Sequence, residues 1–369
     1  MPWYTAPLTV CSLLALLLLS CTDPAVPEYD YTNDFLLVDG RIVSAPGRSE
    51  VKVSRSGIQF GNFRLSPIEG ARVVSVDEQA GTEVAWVAQQ EAGVYRPPAD
   101  FLPLTGRSYF LRISTDEGEV VESTPEVILP AVPLIDLRYR FEQEAYYDIE
   151  LERFVPAFTL LVDLDDPPGE DNFYQFTYRT WERTVICKTC FGGVYRSGSC
   201  VQRTDVDYYD YACDRVCWSI GRSTAISILS DVLTDGGGPL RGVPAGQLVF
   251  TGSGGILAEV EVSAISPAAL EYLRQLRQLT EGGGGLNAPL PAPLYGNLRD
   301  RSPIQTNVLG YVAAAAVSSQ RLYWGRDTVP GTPLRAPRVP RYEPLVPSPP
   351  SAPCSGPNFT SEQPEGWPN

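Results

Sequence analysis

The chain has 369 residues, with 29 lysine and arginine residues against 44 aspartate and glutamate residues, a formal net charge of −15. This acidic balance argues against nucleic acid as a partner and against docking on anionic lipid, because both need basic patches. The chain has no histidine, which excludes Ser-His-Asp and Cys-His catalysis and every histidine-ligated metal site. Carboxylate chemistry, Ser-Lys arrangements and calcium sites remain open.

The N-terminus predicts a lipoprotein signal peptide over residues 1–20. Its apolar run, LLALLLL, is too short for a membrane-spanning helix, which needs about 20 apolar residues, and fits the hydrophobic segment of a signal peptide. The run leads into Leu18, Leu19, Ser20 and Cys21, which resemble a bacterial lipobox, in which the cysteine is acylated and becomes the mature N-terminus. An ordinary cleaved signal with an incidental cysteine is the alternative. We expect acyl chains on Cys21 to anchor the mature protein to a membrane.

After a tether over residues 21–34, the pattern predicts an all-β fold of two tandem β-sandwich-like domains. Short alternating strands between turn residues indicate an immunoglobulin-like sandwich over residues 35–130. Strands such as LIDLRYRF and AEVEVSA indicate a second β-domain over residues 131–325, with Glu259 and Glu261 alternating against the apolar residues of their strand.

One helix is predicted inside the second domain, over about residues 267–280. Ser266 is a suitable N-cap and Pro267 suits the first helical position. Leucines follow at helical spacing, and we expect them to pack onto a sheet. A tail over residues 326–369 contains 12 prolines and is predicted to be extended and largely irregular.

Six cysteines remain after the signal peptide and the lipid site. In an exported protein an even set indicates disulfides, and six cysteines allow 15 pairings. Zinc is the alternative, because a CxxC pair has ligand spacing. The disulfide candidates are Cys187, Cys190, Cys200, Cys213, Cys217 and Cys354.

Most of these cysteines lie in an insertion over about residues 183–222 that is also rich in aromatic residues. Exposed aromatic side chains on a braced loop are suited to stacking on a sugar or on a partner surface. Packing around the disulfides is the alternative. The candidate binding aromatics are Tyr195, Tyr208, Tyr209, Tyr211 and Trp218.

An acidic cluster runs from Asp163 to Asp171 around Pro-Pro-Gly. Calcium takes several oxygen ligands, but the spacing does not match an EF-hand loop. Pro-Pro-Gly is typical of a turn, so the cluster is predicted to form a solvated acidic hairpin turn.

Several segments, in their order along the chain, resemble the DUF4249 family of Bacteroidetes outer-membrane lipoproteins, whose function is unknown. They include LLVDGRI, LPAVPLIDLRYRFE, DDPPGEDNFYQF, ALEYLRQLRQL and VLGYVAAAAVSSQRL. In EAGVYRPPADFLPLTGRSYFLRI, Thr105-Gly106 stands where the family usually has Pro-Gly. Cys217-Trp218 and the ending from Cys354 to Trp367 are also similar.

The resemblance implies an outer-membrane lipoprotein, on the periplasmic face or at the cell surface. Such proteins are associated with TonB-dependent transporters, and no catalytic residue comes with the resemblance. We therefore expect a non-enzymatic accessory of a TonB-dependent transporter, with no cofactor and no metal. The alternative is a stand-alone surface module that binds a glycan or a peptide. An enzyme that uses a pair of carboxylates is the third and weakest interpretation.

Overall fold

The structure, a computed structural model, consists of β-strands and one α-helix in the residues that it describes. Those residues are 34–59, 62–169, 171–186, 193–196, 199–202, 211–212, 214–232, 238–281, 294, 296–303, 306–334, 351–354, 356 and 358–368.

Ten strands occupy the described part of the chain before residue 130. They are β1 (Leu36–Val43), β2 (Glu50–Gln59), β3 (Asn62–Pro67), β4 (Arg72–Asp77), β5 (Glu83–Ala85), β6 (Val87–Ala88), β7 (Val94–Arg96), β8 (Ser108–Ser114), β9 (Val120–Ser123) and β10 (Glu126–Val127).

In the described residues, nine strands follow before the helix. They are β11 (Leu134–Asp148), β12 (Arg153–Leu164), β13 (Phe173–Val185), β14 (Gly193–Arg196), β15 (Ser199–Gln202), β16 (Val216–Arg222), β17 (Ser227–Ser230), β18 (Leu240–Val249) and β19 (Gly255–Ala264). The helix and the last elements are α1 (Pro267–Glu281), β20 (Leu298–Asp300), β21 (Val308–Ala315), β22 (Val317–Gly325), a 3-10 turn (Arg326–Thr328) and β23 (Phe359–Thr360).

Two sheets form the first sandwich. Sheet 1 has the order β21-β1-β2-β7-β6, with β3 added on β2, and sheet 2 has the order β20-β9-β8-β4-β5, with β10 added on β8. Alternate residues of the strands point inward and build one apolar core, which includes Val38 of β1, Val53 of β2 and Leu111 and Ile113 of β8. The residues between them, such as Asp39 and Arg41, therefore lie on the outer face of sheet 1.

Two further sheets form the second sandwich. Sheet 3 has the order β11-β12-β18, and sheet 4 has the order β22-β19-β13-β16-β23, with β17 added on β13. Their shared core includes Phe158 and Leu160 of β12, Phe176 of β13 and Val260 of β19. Together with the first sandwich, this confirms the predicted all-β, sandwich-like architecture with one inserted helix.

Helix α1 begins where the sequence predicts. Ser266 Oγ accepts a hydrogen bond from the backbone N–H of Ala269 at 3.1 Å, and Pro267 is the first helical residue. Leu270 is buried in a small cluster with Ala269 and Tyr311, and Leu273 packs against it. The helix thus packs against both β13 and β21.

After the helix, the chain returns to the first sandwich. Strand β20 pairs with β9 of sheet 2, and β21 pairs with β1 of sheet 1 in parallel, from Leu36 opposite Val308 to Val43 opposite Ala315. The next strand, β22, pairs with β19 of sheet 4. The two sandwiches are therefore joined by the 129–134 segment and also by this returning chain.

The described part of the tail is partly ordered on sheet 4. Strand β23 pairs with β16, placing Phe359 opposite Ser219. Trp367 packs edge-on against Trp218 and Tyr323, with ring centroids 6.4 Å and 5.1 Å apart. The tail therefore contributes to this face of the second sandwich, which its proline content did not predict.

Candidate functional site

A cleft lies between the outer face of sheet 1 and the outer face of sheet 4; we call it the inter-sandwich cleft. Its wide part has a volume of about 560 Å³, and an adjoining narrow end has a volume of about 200 Å³. Six basic and five acidic side chains line the wide part: Arg41, Arg48, Lys52, Arg96, Arg179, Arg222, Asp39, Glu50, Glu91, Glu259 and Glu261.

Strand alternation explains why these polar side chains meet. On β13 and β19, apolar residues such as Phe176 and Val260 point into the core. Their neighbours, such as Thr177 and Glu261, then point out of the second sandwich. This outer face is turned toward sheet 1, so the outward residues of two sheets line one cleft.

Two buried carboxylates form the centre of an ion-pair network. Glu261 accepts from Arg41 at 2.6 Å and pairs with Arg48 at 3.2 Å, while Glu259 accepts from Arg48 at 2.9 Å and from Arg179 at 2.6 Å. Glu259 and Glu261 are each only 4% exposed. Since Arg41 and Arg48 belong to the first sandwich, the network connects the two sandwiches electrostatically.

Two arginines of sheet 4, Arg179 and Arg321, pair with Glu259 from its own side of the cleft. Arg321 of β22 lies 3.2 Å from Glu259, and the guanidinium groups of Arg179 and Arg321 each lie 5.5 Å from the ring centre of Trp181. Cation–π contact and ion pairing together hold both arginines at this position.

The network sets the protonation of its central carboxylate. Burial alone would raise the pKa of Glu259, but the hydrogen bond from Arg48 and the charge of Arg179 outweigh burial and lower this pKa below its usual value. Glu259 is therefore a structural anion at neutral pH and is poorly suited to act as a general acid.

The narrow end of the cleft has a different character. Tyr272 of α1 stacks on Tyr311 of β21 with ring centroids 4.8 Å apart and an interplanar angle of 30°. These rings line the narrow end together with Leu273, Gly40 and the carboxylate of Asp39. Burial and the charge of Asp39 raise the pKa of Tyr272 to about 12, so this tyrosine stays neutral.

A second surface feature is the end of the β11–β12 hairpin. The loop from Ile149 to Glu152 joins the two strands, and Tyr147 packs edge-on against Phe154 across them at 5.4 Å. Five apolar side chains are exposed here, and we call this set the hairpin tip: Tyr146 (37%), Tyr147 (53%), Ile149 (83%), Leu151 (47%) and Phe154 (52%).

The loop of the hairpin tip has an unusual backbone. Glu152 has φ of +51°, and it is the one non-glycine residue with positive φ in the described part of the chain. An L-residue in this region costs about 1–2 kcal/mol relative to ordinary backbone. The side chain of Asp148 accepts a hydrogen bond from the N–H of Leu151 at 2.9 Å and helps to hold the turn.

Among the predicted cysteines, Cys217 and Cys354 form a disulfide with their Cα atoms 5.8 Å apart. Cys200 is also disulfide-bonded. Cys187, Cys190 and Cys213 lie outside the described residues. The prediction of disulfide bracing is thus confirmed for the pair that ties the tail to β16.

The candidate aromatics fall into two groups. Tyr211 packs against the buried cluster of Ile186, Cys217 and Ala352, and Trp218 packs against Trp367 as described above. Tyr195 is in β14, but nothing is described of its side chain, and Tyr208 and Tyr209 lie outside the described residues. The two described side chains thus pack around the disulfide and the tail.

The acidic segment near Pro-Pro-Gly is not a hairpin turn. It leads from β12 of sheet 3 to β13 of sheet 4. Asp163 and Asp166 are buried, whereas Asp165 and Asp171 are exposed. The prediction of a solvated hairpin turn is therefore wrong, because the segment crosses between layers and must bury part of its charge.

Both buried carboxylates have polar partners. The backbone N–H of Gly242 donates to Asp163 at 2.7 Å, and this bond and Arg138 hold the pKa of Asp163 below its usual value. Tyr174 donates to Asp166, whose pKa is raised by burial and by nearby Asp231. Within the described residues, no three Cys, Asp or Glu side chains converge as a metal site would require.

Leu18, Leu19, Ser20 and Cys21 all lie outside the described residues, so the lipid anchor stays a prediction. In the part of the chain that the structure describes, no helix has the length and apolar character to cross a membrane.

Sequence reasoning missed both the inter-sandwich cleft and the hairpin tip. Glu259 and Glu261 were recognised as alternating residues, but nothing in the strand itself indicates that a second sandwich covers that face. The tip carries a local signal, since the segment AYYDIELERF interleaves apolar and acidic residues between two strand patterns.

The chain was compared with known proteins and protein families. A search of curated proteins finds no match. The family model described as a domain of unknown function, DUF4249, matches residues 22–321. This match covers most of the chain and includes β1 to β21, helix α1 and the first part of β22. The chain therefore belongs to the DUF4249 family.

Proposed function

We propose that the protein is a non-enzymatic, lipid-anchored accessory of a TonB-dependent transporter in the outer membrane, and that it docks on its partner through the hairpin tip. The lipobox-like sequence ending at Cys21 supports the anchor, and the resemblance to outer-membrane lipoproteins supports the location. The exposed apolar side chains of the hairpin tip carry the docking part of the proposal.

The hairpin tip has the composition of a protein interface. Soluble proteins seldom expose neighbouring large apolar side chains without a partner, and aromatic residues are enriched at interfaces. Ile149 and Leu151 occupy a short loop at the end of two long strands, where they can reach a partner without movement of either sandwich. The strained Glu152 is consistent with a loop shaped for contact.

Charge around the tip favours a protein partner over the lipid surface. Between residues 143 and 154 there are four carboxylates and one guanidinium, Arg153. Anionic lipid would repel this segment. A partner with an apolar groove and a basic rim would be complementary both to the apolar side chains and to the acidic ones.

The cleft argues against an enzyme. General acid–base chemistry with carboxylates needs two that are free to exchange protons. Four of the five acidic side chains of the wide part are held in ion pairs: Glu50 with Arg96, Glu91 with Lys52, Glu259 with Arg48 and Arg179, and Glu261 with Arg41. Together with the lack of histidine, this favours a binding role.

The proposal is tested by purifying the native lipidated protein in mild detergent and identifying co-purifying proteins. We expect a β-barrel TonB-dependent transporter in near-stoichiometric amount. The double variant Ile149→Asp/Leu151→Asp is expected to fold normally, because both side chains are exposed, and to lose the transporter.

The matched control for this experiment is Ile58→Asp/Leu65→Asp on the β2–β3 hairpin. Those side chains are 57% and 46% exposed, so the change in apolar surface and charge is similar. The control should retain the transporter. Retention by the tip variant, or loss by both variants, would contradict docking through the hairpin tip.

The alternative is a stand-alone module that binds a glycan or a peptide, and the inter-sandwich cleft favours it. Under this alternative the purified protein would be free of a transporter and would still bind a ligand in a glycan or peptide screen. Substitution of Lys52 and Arg222 at the cleft would then reduce binding.

A further inference from the structure

The narrow end of the inter-sandwich cleft contains one charged group without a partner. Four charged side chains line this end, and three of them are ion-paired: Arg41 with Glu261, Glu50 with Arg96, and Lys52 with Glu91. The side chain of the fourth, Asp39, makes no hydrogen bond and no ion pair with any residue that the structure describes. Its carboxylate oxygens are therefore open to accept hydrogen bonds from a ligand.

Asp39 lines the narrow end of the cleft and is exposed to solvent. Its neighbours in sheet 1 are Lys52 on β2 and Tyr311 on β21, each directly opposite in the strand register. Surrounding protein raises the pKa of Asp39, an effect that the charges of Lys52 and Arg41 only partly offset.

The walls around Asp39 are aromatic and apolar. The stacked rings of Tyr272 and Tyr311 form one side, and Leu273, Ala269 and Ala313 contribute aliphatic surface. An aromatic wall attracts a cation, and an aliphatic wall favours the methylene groups that carry one. The volume of about 200 Å³ holds a chain of a few heavy atoms.

We infer that the narrow end binds an ammonium group on a short aliphatic chain, with the ammonium on Asp39 and the chain against Tyr272 and Leu273. A metal ion is not favoured here, because cations such as Ca²⁺ take several oxygen ligands and Asp39 supplies the one unpaired carboxylate. The wide part would then hold the more polar remainder of a larger ligand. This inference is independent of the transporter partner.

The inference is tested by titrating the purified full chain with n-butylammonium, followed by chemical-shift changes. A ligand with so few heavy atoms has a modest affinity limit, so we expect a Kd of about 1–10 mM. Uncharged n-butanol should bind at least tenfold more weakly, and butyrate should not bind.

Two variants establish which groups are responsible. Asp39→Asn keeps the shape but removes the charge, and it should weaken butylammonium binding at least tenfold. Tyr272→Ala should weaken binding severalfold. The matched control, Asp100→Asn, changes an exposed carboxylate outside the cleft and should bind as the wild type does.

A thermal unfolding measurement separates this role from a structural one. Because Asp39 has no partner to lose, Asp39→Asn should melt at the wild-type temperature or higher. The inference is overturned if butylammonium does not bind the wild type, if n-butanol binds equally well, if Asp39→Asn binds normally, or if that variant is unfolded.

Discussion

Gly310 lies where the returning strand β21 meets β1, and its backbone explains why glycine is required there. Its φ is +114°, and a Cβ built on it would lie 1.9 Å from the carbonyl oxygen of Val38. The parallel pairing of β1 and β21 passes through this contact. One residue without a side chain thus allows the late chain to close sheet 1.

Gly310→Ala is expected to destabilise the protein by about 3 kcal/mol or more, because it combines a strained φ with a steric clash. Denaturant unfolding measures this loss. The control is Gly57→Ala on β2, where an added Cβ meets no atom within 4 Å. Equal stability of the two variants would contradict the account of Gly310.

The side chain of Glu259 contributes to the stability of the protein through its ion pairs with arginines of both sandwiches. The pKa of Glu259 is lower in the folded protein than in the unfolded chain. Its charge therefore stabilises the fold fully at pH values above the unfolded-state pKa. This stabilisation is lost as the pH falls through the folded-state pKa. Glu259→Gln leaves Arg48, Arg179 and Arg321 short of a charge partner.

We expect Glu259→Gln to lose about 3 kcal/mol of stability at neutral pH, as for other broken buried ion pairs. Between about pH 5 and pH 3, the wild type should lose stability more steeply than the variant does. Unfolding curves at several pH values measure both effects. Exposed Glu78→Gln is the control, and parallel pH profiles for wild type and Glu259→Gln would contradict the role given to this carboxylate.

For individual helices and strands, the sequence predicted the features that depend on residues close together in the chain. Helix α1 begins at Pro267 with Ser266 as its cap, because capping is decided within a few residues. The strand containing Val260 alternates as expected.

The cleft could not be predicted in the same way, because Glu259 and Arg48 are separated by 211 residues. Outward polar residues on an isolated strand look solvent-exposed whether or not another layer covers them.

The disulfide between Cys217 and Cys354 spans 137 residues and fastens the tail to β16. Loop-closure entropy for a span of this length predicts a loss of up to about 5 kcal/mol when the bridge is removed. Cys217→Ser/Cys354→Ser should therefore unfold at lower denaturant concentration and release its C-terminal segment earlier in limited proteolysis. Unchanged unfolding and unchanged cleavage would show that the tail is held by packing of residues such as Trp367 alone.

Across the whole molecule, the exposed and buried charges have different roles. The net charge of −15 keeps the surface acidic, while arginines such as Arg48 and Arg179 are concentrated in the inter-sandwich cleft. The hairpin tip and the cleft belong to different elements, since the tip is in sheet 3 and the cleft is lined by sheets 1 and 4 and by helix α1. Partner docking and ligand binding can therefore be changed separately.

The most direct test of the proposed docking is site-specific photocrosslinking in intact cells. A photoreactive residue at Ile149 is expected to crosslink to a TonB-dependent transporter, and the same residue at Ile58, which is also exposed, is not. Crosslinked peptides from the transporter should contain lysine or arginine next to apolar residues. The absence of a transporter crosslink at Ile149, or equal crosslinking at Ile58, would contradict the proposal that the hairpin tip is the docking surface.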